Sequence, residues 1–182
     1  MADIELNTEE LIKYNEAVEF NAQQKNNFYF KNDGDAKALI VFKNIYNTAN
    51  KDIQLVAKNL DNDLTTSKEY LDAIKKFLTR RDTTLDILLS DEVNLNNNLF
   101  ILLKEYKSKI CIKTTNGKTF KGESGNIIHF CVADEHAYRM EYDIIHRKAE
   151  VNFNDEKICS KLKKTFYLIF NNSDLAQSIS LD

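Results

Sequence analysis

The sequence predicts an α/β protein, a mixed β-sheet sandwiched by helices. Three observations lead there. Longer segments repeat apolar residues every three or four positions, and shorter ones alternate or run together. The two kinds interleave through the first half, whereas short strands cluster in the second and a helix closes the chain. With 182 residues, 43% hydrophobic and 29% charged, the chain is long enough to bury roughly 70% of its unfolded surface.

"TEELIKYNEAVEFNA" sets Leu11, Asn15, Val18 and Ala22 in a helical pattern, with acidic residues where the helix dipole is positive. "NFYFKNDGD" reads as a short aromatic segment and a turn at Asp33-Gly34. "AKALIVFKNIYNTA" places Ala38, Val41, Phe42, Ile45 and Ala49 on one broad apolar helical face, suited to packing on a sheet. "DIQLVAKNL" fits a largely buried strand. Thr66 and Glu69 then have the spacing of a capping box ahead of a helix with Leu71, Ile74, Phe77 and Leu78 inward. "TLDILLSD" is a strand, and "NNNLFILLKEYKS" a helix with Leu99, Leu102, Leu103 and Tyr106 inward.

"KICIKTT" and "KTFKGE" flank Asn116-Gly117, a dipeptide that accommodates the positive φ angles of a hairpin turn. "NIIHFCVAD" is apolar on both faces, with Ile128, Phe130 and Val132 on one and Ile127, Cys131 and Ala133 on the other. Such a strand belongs in the middle of a sheet. "AYRMEY" and "AEVNF" are further strands. Asn154 is the expected cap of a helix carrying Ile158, Leu162, Phe166 and Ile169, and the polar tail after it is expected to fray. The organisation expected is a single domain over 1–182, with a core at about 28–170, an N-terminal helix within 1–27 and a tail at 171–182.

The net charge of −3 offers no broad attraction to nucleic acid or an anionic membrane. The opening "MADIELNTEELIKYN" lacks a basic stretch followed by an apolar one, and no run is apolar enough to span a bilayer, which predicts a cytoplasmic protein without membrane contact. Cys111, Cys131 and Cys159 lack zinc-site spacing and read as small buried hydrophobes in a reducing compartment. A Gly-rich phosphate loop, a G-x-S-x-G elbow and an H-E-x-x-H motif are all missing, and neither a cofactor nor a metal is expected.

"ALIVFKNIYNTANKDIQLVAKNL" followed by "YLDAIKKFLTRRDTTLDILLSD" resembles one half of the phospholipase D superfamily, and "IIHFCVAD" then falls where that family carries its signature strand. The resemblance covers about residues 28–170 and rests on element order and apolar pattern. It implies a phospholipase D-like fold and a signature, H-x-K-x4-D. In that signature the imidazole attacks phosphorus and the ammonium, two residues on and on the same strand face, neutralises phosphate oxygens. Matching Asp134 to the signature aspartate puts Ile127 at the nucleophile and His129 at the lysine, with Glu141 near the family's serine. A register two residues later makes His129 the nucleophile but sets Cys131 and His136 at the other two positions. Neither alignment restores the motif, and Lys121 and Lys148 bracket a stretch without lysine. The expectation is therefore a degenerate, single-half member without phosphodiesterase activity. It would act by protein–protein interaction, as a homodimer or as an accessory or regulatory component of a bacterial assembly.

The alternatives are a residual nuclease or phosphodiesterase and a nucleic-acid-binding adapter. For the first, His129 is the general base or nucleophile candidate, with Asp134 or Glu141 to orient it. A lone histidine on a central strand is, however, more often a hydrogen-bonded core residue. A metal held by His129, His136 and Asp134 is weighed and set aside because His136 falls in a turn. For the adapter, Lys75, Lys76, Arg80 and Arg81 end one helix, His146, Arg147 and Lys148 form a basic loop, and Lys157, Lys161, Lys163 and Lys164 line another helix. Lys76, Arg80, Arg81, Arg147 and Lys148 are the phosphate-contact candidates. Solvated helix faces are the plainer account of the same charges.

Overall fold

The structure is a computed structural model that describes residues 8–118, 121, 125 and 127–181. Its centre is an eight-stranded mixed sheet in the order β1-β7-β6-β5-β2-β3-β4-β8. Strands β2 (Asp52–Ala57), β3 (Thr84–Leu89) and β4 (Ile110–Thr114) are parallel. β5 (His129–Ala133) runs antiparallel to β2, and β6 (Ala137–Asp143), β7 (Lys148–Asn152) and β1 (Phe30–Asn32) continue antiparallel to one edge. The parallel strands are joined by helical crossovers, because only a long connection returns the chain to the same end of the sheet.

The two faces follow the period-2 alternation of the strands. One face presents Ile53, Leu55, Leu85, Ile87, Leu89, Ile112, Cys131 and Ala133 to the core beneath helices α1 (Glu9–Gln23), α2 (Gly34–Thr48), α3 (Asp63–Thr66), α4 (Lys68–Thr79) and α5 (Asn98–Lys104). The other presents Val56, Leu88, Phe130, Val132 and Tyr138 to α6 (Glu156–Phe170), which inserts Cys159, Leu162, Phe166 and Phe170. The apolar-on-both-faces pattern of 127–133 thus has the expected result: β5 is an interior strand with β2 on one side and β6 on the other.

Helix α2 departs from the single apolar face of its sequence pattern. Leu39, Ile40, Asn44 and Tyr46 are buried along with Ala38, Val41, Phe42 and Ile45, because α1 and α4 pack against the flanks that face away from the sheet. Two caps also differ from expectation. The Thr66 amide is already bonded to the Asn62 carbonyl at the end of α3, and Ser67 caps α4 by accepting from the Tyr70 amide. Likewise the Asn154 amide donates to Asn152 Oδ1, and Asp155 caps α6 through the Ile158 amide. The tail does not fray as expected. Gln177 and Ser178 form β8 against β4, Ile179 N donates to Ile112 O, and Ala176 and Leu181 are buried. Asn116 and Gly117 take φ of 51° and 93°, as their turn requires, while most of the expected second hairpin arm lies outside the described residues. Among the described residues no helix is long and apolar enough to cross a membrane.

Candidate functional site

The site forms where β5 begins and β6 ends. His129 and Glu141 are direct cross-strand partners, so alternation sets His129, Arg139 and Glu141 on the face covered by α1 to α5, in line with Cys131, Ala133 and Ala137. Glu141 Oε1 accepts from Arg139 Nη2 at 3.0 Å, and Glu141 Oε2 lies 3.3 Å from His129 Nδ1 and 3.7 Å from Arg147 Nη1. Arg139 also donates to the Arg147 carbonyl, and its guanidinium stacks over the Phe42 ring. Arg147, in the hairpin between β6 and β7, reaches Asp35 at the start of α2 with Nε at 3.0 Å. Glu141 and Arg139 are 2% and 3% exposed, so this cluster of charges lies inside the protein.

Burial alone raises a carboxyl pKa. For Glu141 that effect is outweighed by the His129 hydrogen bond and by Arg139 and Arg147, which together hold its pKa below the ordinary 4.5. Arg139 Nε has no hydrogen-bond partner, an unusual condition for a buried guanidinium. Beside it Tyr46 and Tyr70 share a hydroxyl–hydroxyl hydrogen bond of 2.7 Å, and burial keeps both phenols protonated.

His129, Arg139, Glu141 and Arg147 line a cleft of about 430 Å³ at the carboxyl end of β2, the end of a parallel strand where α/β folds place their ligands. Phe42, Leu60, Leu64 and Tyr70 add apolar lining, with Asn59, Asp61, Asn62 and Thr65 among them, and Ile144 and Ile145 come from the β6–β7 hairpin. Lys58 lies at the rim, 3.6 Å from Asp91.

Of the sequence candidates, His129 and Glu141 are brought together and Asp134 is not. Asp134 lies at the far end of β5, five residues of extended chain or about 16 Å away. Its carboxylate accepts from the amides of Asn50, Lys51 and Asp52, at 2.8 to 3.3 Å. That grip ties the turn after α2 to the turn after β5 and leaves nothing for His129. The weighed His129–His136–Asp134 metal set does not assemble, and among the described residues no cluster suits a metal.

The basic candidates separate likewise. Arg80 donates to the carbonyls of Asn47 and Ala49 and so closes the C-terminal end of α2. Lys76 is exposed, and Arg81 pairs with Asp82 in solvent. These three sit where β2 and β3 begin, whereas Arg147 and Lys148 sit at the opposite end of the sheet, beside the cleft. Lys148 is 3.8 Å from Asp143. Arg139 is the residue that sequence reasoning missed. Its signal was the pairing of a basic and an acidic residue two apart on a strand beside the central one.

No protein-family model and no curated protein matches the sequence. Solved structures do. TrmBL2, an archaeal chromatin protein whose structure shows a novel mode of DNA binding, is 15% identical with a TM-score of 0.59, over 93% of this chain and 62% of that one. NucT from Helicobacter pylori is 14% identical with a TM-score of 0.57, over 84% of this chain and all of NucT. Phosphatidylserine synthase of Haemophilus influenzae Rd KW20 is 6% identical with a TM-score of 0.51, over 83% of this chain and 39% of that enzyme. The fold is phospholipase D-like. Identities this low establish that fold alone, and the chain spans under two thirds of TrmBL2 and of the synthase.

Proposed function

We propose that this chain is a degenerate, single-half phospholipase D-like module that binds without hydrolysing. On this reading it is one domain that works in the cytoplasm through a protein partner or a second copy, as an accessory or regulatory part of a bacterial assembly. The observation that supports it is the composition of the cleft floor. With Asp134 in the aspartate register, the nucleophile position is the aliphatic Ile127 and the lysine position is His129, whose imidazole is engaged by Glu141. The cations a phosphodiester would need there are already engaged, Arg139 and Arg147 by Glu141 and Lys58 at the rim by Asp91. Side chains suited to a partner surface include Ile145, Phe28 and Phe20, at 88%, 58% and 61% exposure.

One observation favours a second reading. Glu141 fixes His129 through Nδ1, which leaves Nε2 as the nitrogen for chemistry in the cleft, the arrangement a residual nuclease or phosphodiesterase would use. The similarity to TrmBL2 and NucT keeps nucleic acid as an alternative partner. Incubation with bis(p-nitrophenyl) phosphate and with linear DNA separates the readings. The binding module shows no turnover above a His129→Ala control and elutes above monomer mass or with a partner. Hydrolysis abolished by His129→Ala, or a trapped phosphohistidine, overturns it.

A further inference from the structure

We propose that the outer faces of α1 and α6 are the two halves of one head-to-tail interface, through which α1 of one copy of this chain docks on α6 of the next. The proposal rests on the reading of the chain as a binding module that works through a second copy, and it names the surfaces. The two helices cover opposite faces of the sheet, α1 together with α2 to α5 and α6 on the other side. Each is 15 residues long, about 22 Å of axis, and each turns a row of side chains to solvent at positions i, i+4, i+7 and i+11. On α1 the row is Ile12, Glu16, Glu19 and Gln23, with Phe20 beside it; on α6 it is Lys157, Lys161, Lys164 and Leu168. All are exposed, with Ile12 at 49%, Phe20 at 61% and Leu168 at 65%.

Charge selects the partner face. Glu9 is paired with Lys13, Glu10 with Lys37 and Lys163 with Asp52, whereas Glu16, Glu19, Lys157, Lys161 and Lys164 join no ion pair among the described residues. Glu19 accepts only from the uncharged Gln23 amide, at 2.9 Å. A single charged helix face is simply solvated. Two unpaired faces of opposite charge on one chain, each with a large apolar side chain in its row, are what a heterologous contact requires. Like charge excludes the symmetric pairings: α1 against α1 sets glutamates against glutamates, and α6 against α6 does the same to three lysines. Spacing selects the direction. In an antiparallel docking Ile12 meets Leu168, Glu16 meets Lys164 and Glu19 meets Lys161, and Phe20 is covered by the alkyl stems of the facing lysines. In a parallel one the glutamates still meet lysines, but Ile12 faces Lys157 and Leu168 faces Gln23. Because the two halves are different surfaces, the contact repeats from copy to copy and gives an open chain or a ring. Solvent-screened charges and few apolar groups make each contact weak and sensitive to salt.

Sedimentation velocity on the full chain, freed of nucleic acid by nuclease treatment, reads the association. Average mass should rise with concentration beyond that of a dimer. The association constant should fall about tenfold or more between about 0.1 M and about 1 M sodium chloride, as the screening length shrinks from about 10 Å to about 3 Å. Glu16→Lys with Glu19→Lys makes both rows basic, and Lys161→Glu with Lys164→Glu makes both acidic. Each double variant alone should stay monomeric, with circular dichroism confirming that its helices are intact. Mixed in equal amounts, the two should associate again, because the basic α1 of one meets the acidic α6 of the other. A monomer at low salt, a dimer that grows no further, association retained by either variant, or a mixture that stays monomeric each overturns the proposal. The proposed function is judged apart. Phosphodiester turnover that depends on His129 sinks that reading whatever the mass, and a monomeric parent that still copurifies with another protein sinks only the contact between α1 and α6.

Discussion

The two ends of β5 each bury a carboxylate, and they hold it by different means. At the Ala133 end, Asp134 is gripped by three backbone amides that belong to the turn entering β2. At the His129 end, Glu141 is surrounded by three side chains, His129, Arg139 and Arg147. Backbone amides cannot shift without moving the strand they precede, so the first arrangement is a fastener. Side chains can rotate and exchange partners without moving the strands that carry them, so the second arrangement is free to change. Burial alone does not distinguish the two carboxylates; the identity of their donors does.

The largest effect should come from breaking the side-chain cluster. Glu141→Ala leaves Arg139 buried without its carboxylate and should destabilise the fold by about 3–5 kcal/mol in urea unfolding. The pair Arg139→Met and Glu141→Leu removes both charges and should cost less than Glu141→Ala alone; a larger loss would mean that the ion pair itself stabilises the core. Next comes the fastener. Asp134→Ala strands the amides of Asn50, Lys51 and Asp52 and should cost about 2–3 kcal/mol. It should leave the imidazole NMR signals of His129 unchanged, and a shifted ring signal would join the two ends that the geometry separates.

A smaller effect is on pH dependence. The folded pKa of Glu141 is depressed below the ordinary 4.5, so its contribution is present in full above that pH and is lost as the pH falls through the folded value. Acid unfolding followed by fluorescence or circular dichroism should therefore be shallower in Glu141→Gln than in the parent. Smallest is Arg80→Ala, which uncaps the carbonyls of Asn47 and Ala49 and should cost about 1 kcal/mol without changing the salt dependence of oligonucleotide affinity. A flatter salt slope would return Arg80 to the phosphate-binding candidates.

The site was legible in part. His129 and Glu141 were visible as candidates, but the strand "AYRMEY" alternates tyrosine and methionine with Arg139 and Glu141, and alternation alone does not say which set turns inward. Both sets are buried or partly buried, because β6 lies inside the sheet with α2 approaching one face and α6 the other. Asp134 was legible as a residue near the strand end, yet its amide partners come from a turn more than eighty positions earlier. The two misplaced caps share a cause. Two adjacent residues each carry a suitable side chain, and which one caps depends on where the preceding backbone has already spent its amide.

By itself the sequence determined the succession of helices and strands, the interior position of β5 and the lysine-free stretch between Lys121 and Lys148, since these depend on local periodicity and residue type. Only the tertiary structure decided that His129, Arg139, Glu141 and Arg147 converge on one cleft while Asp134 and Arg80 serve the backbone. Side-chain period assigns a residue to a face, but its partners there depend on the register and packing between segments distant along the chain.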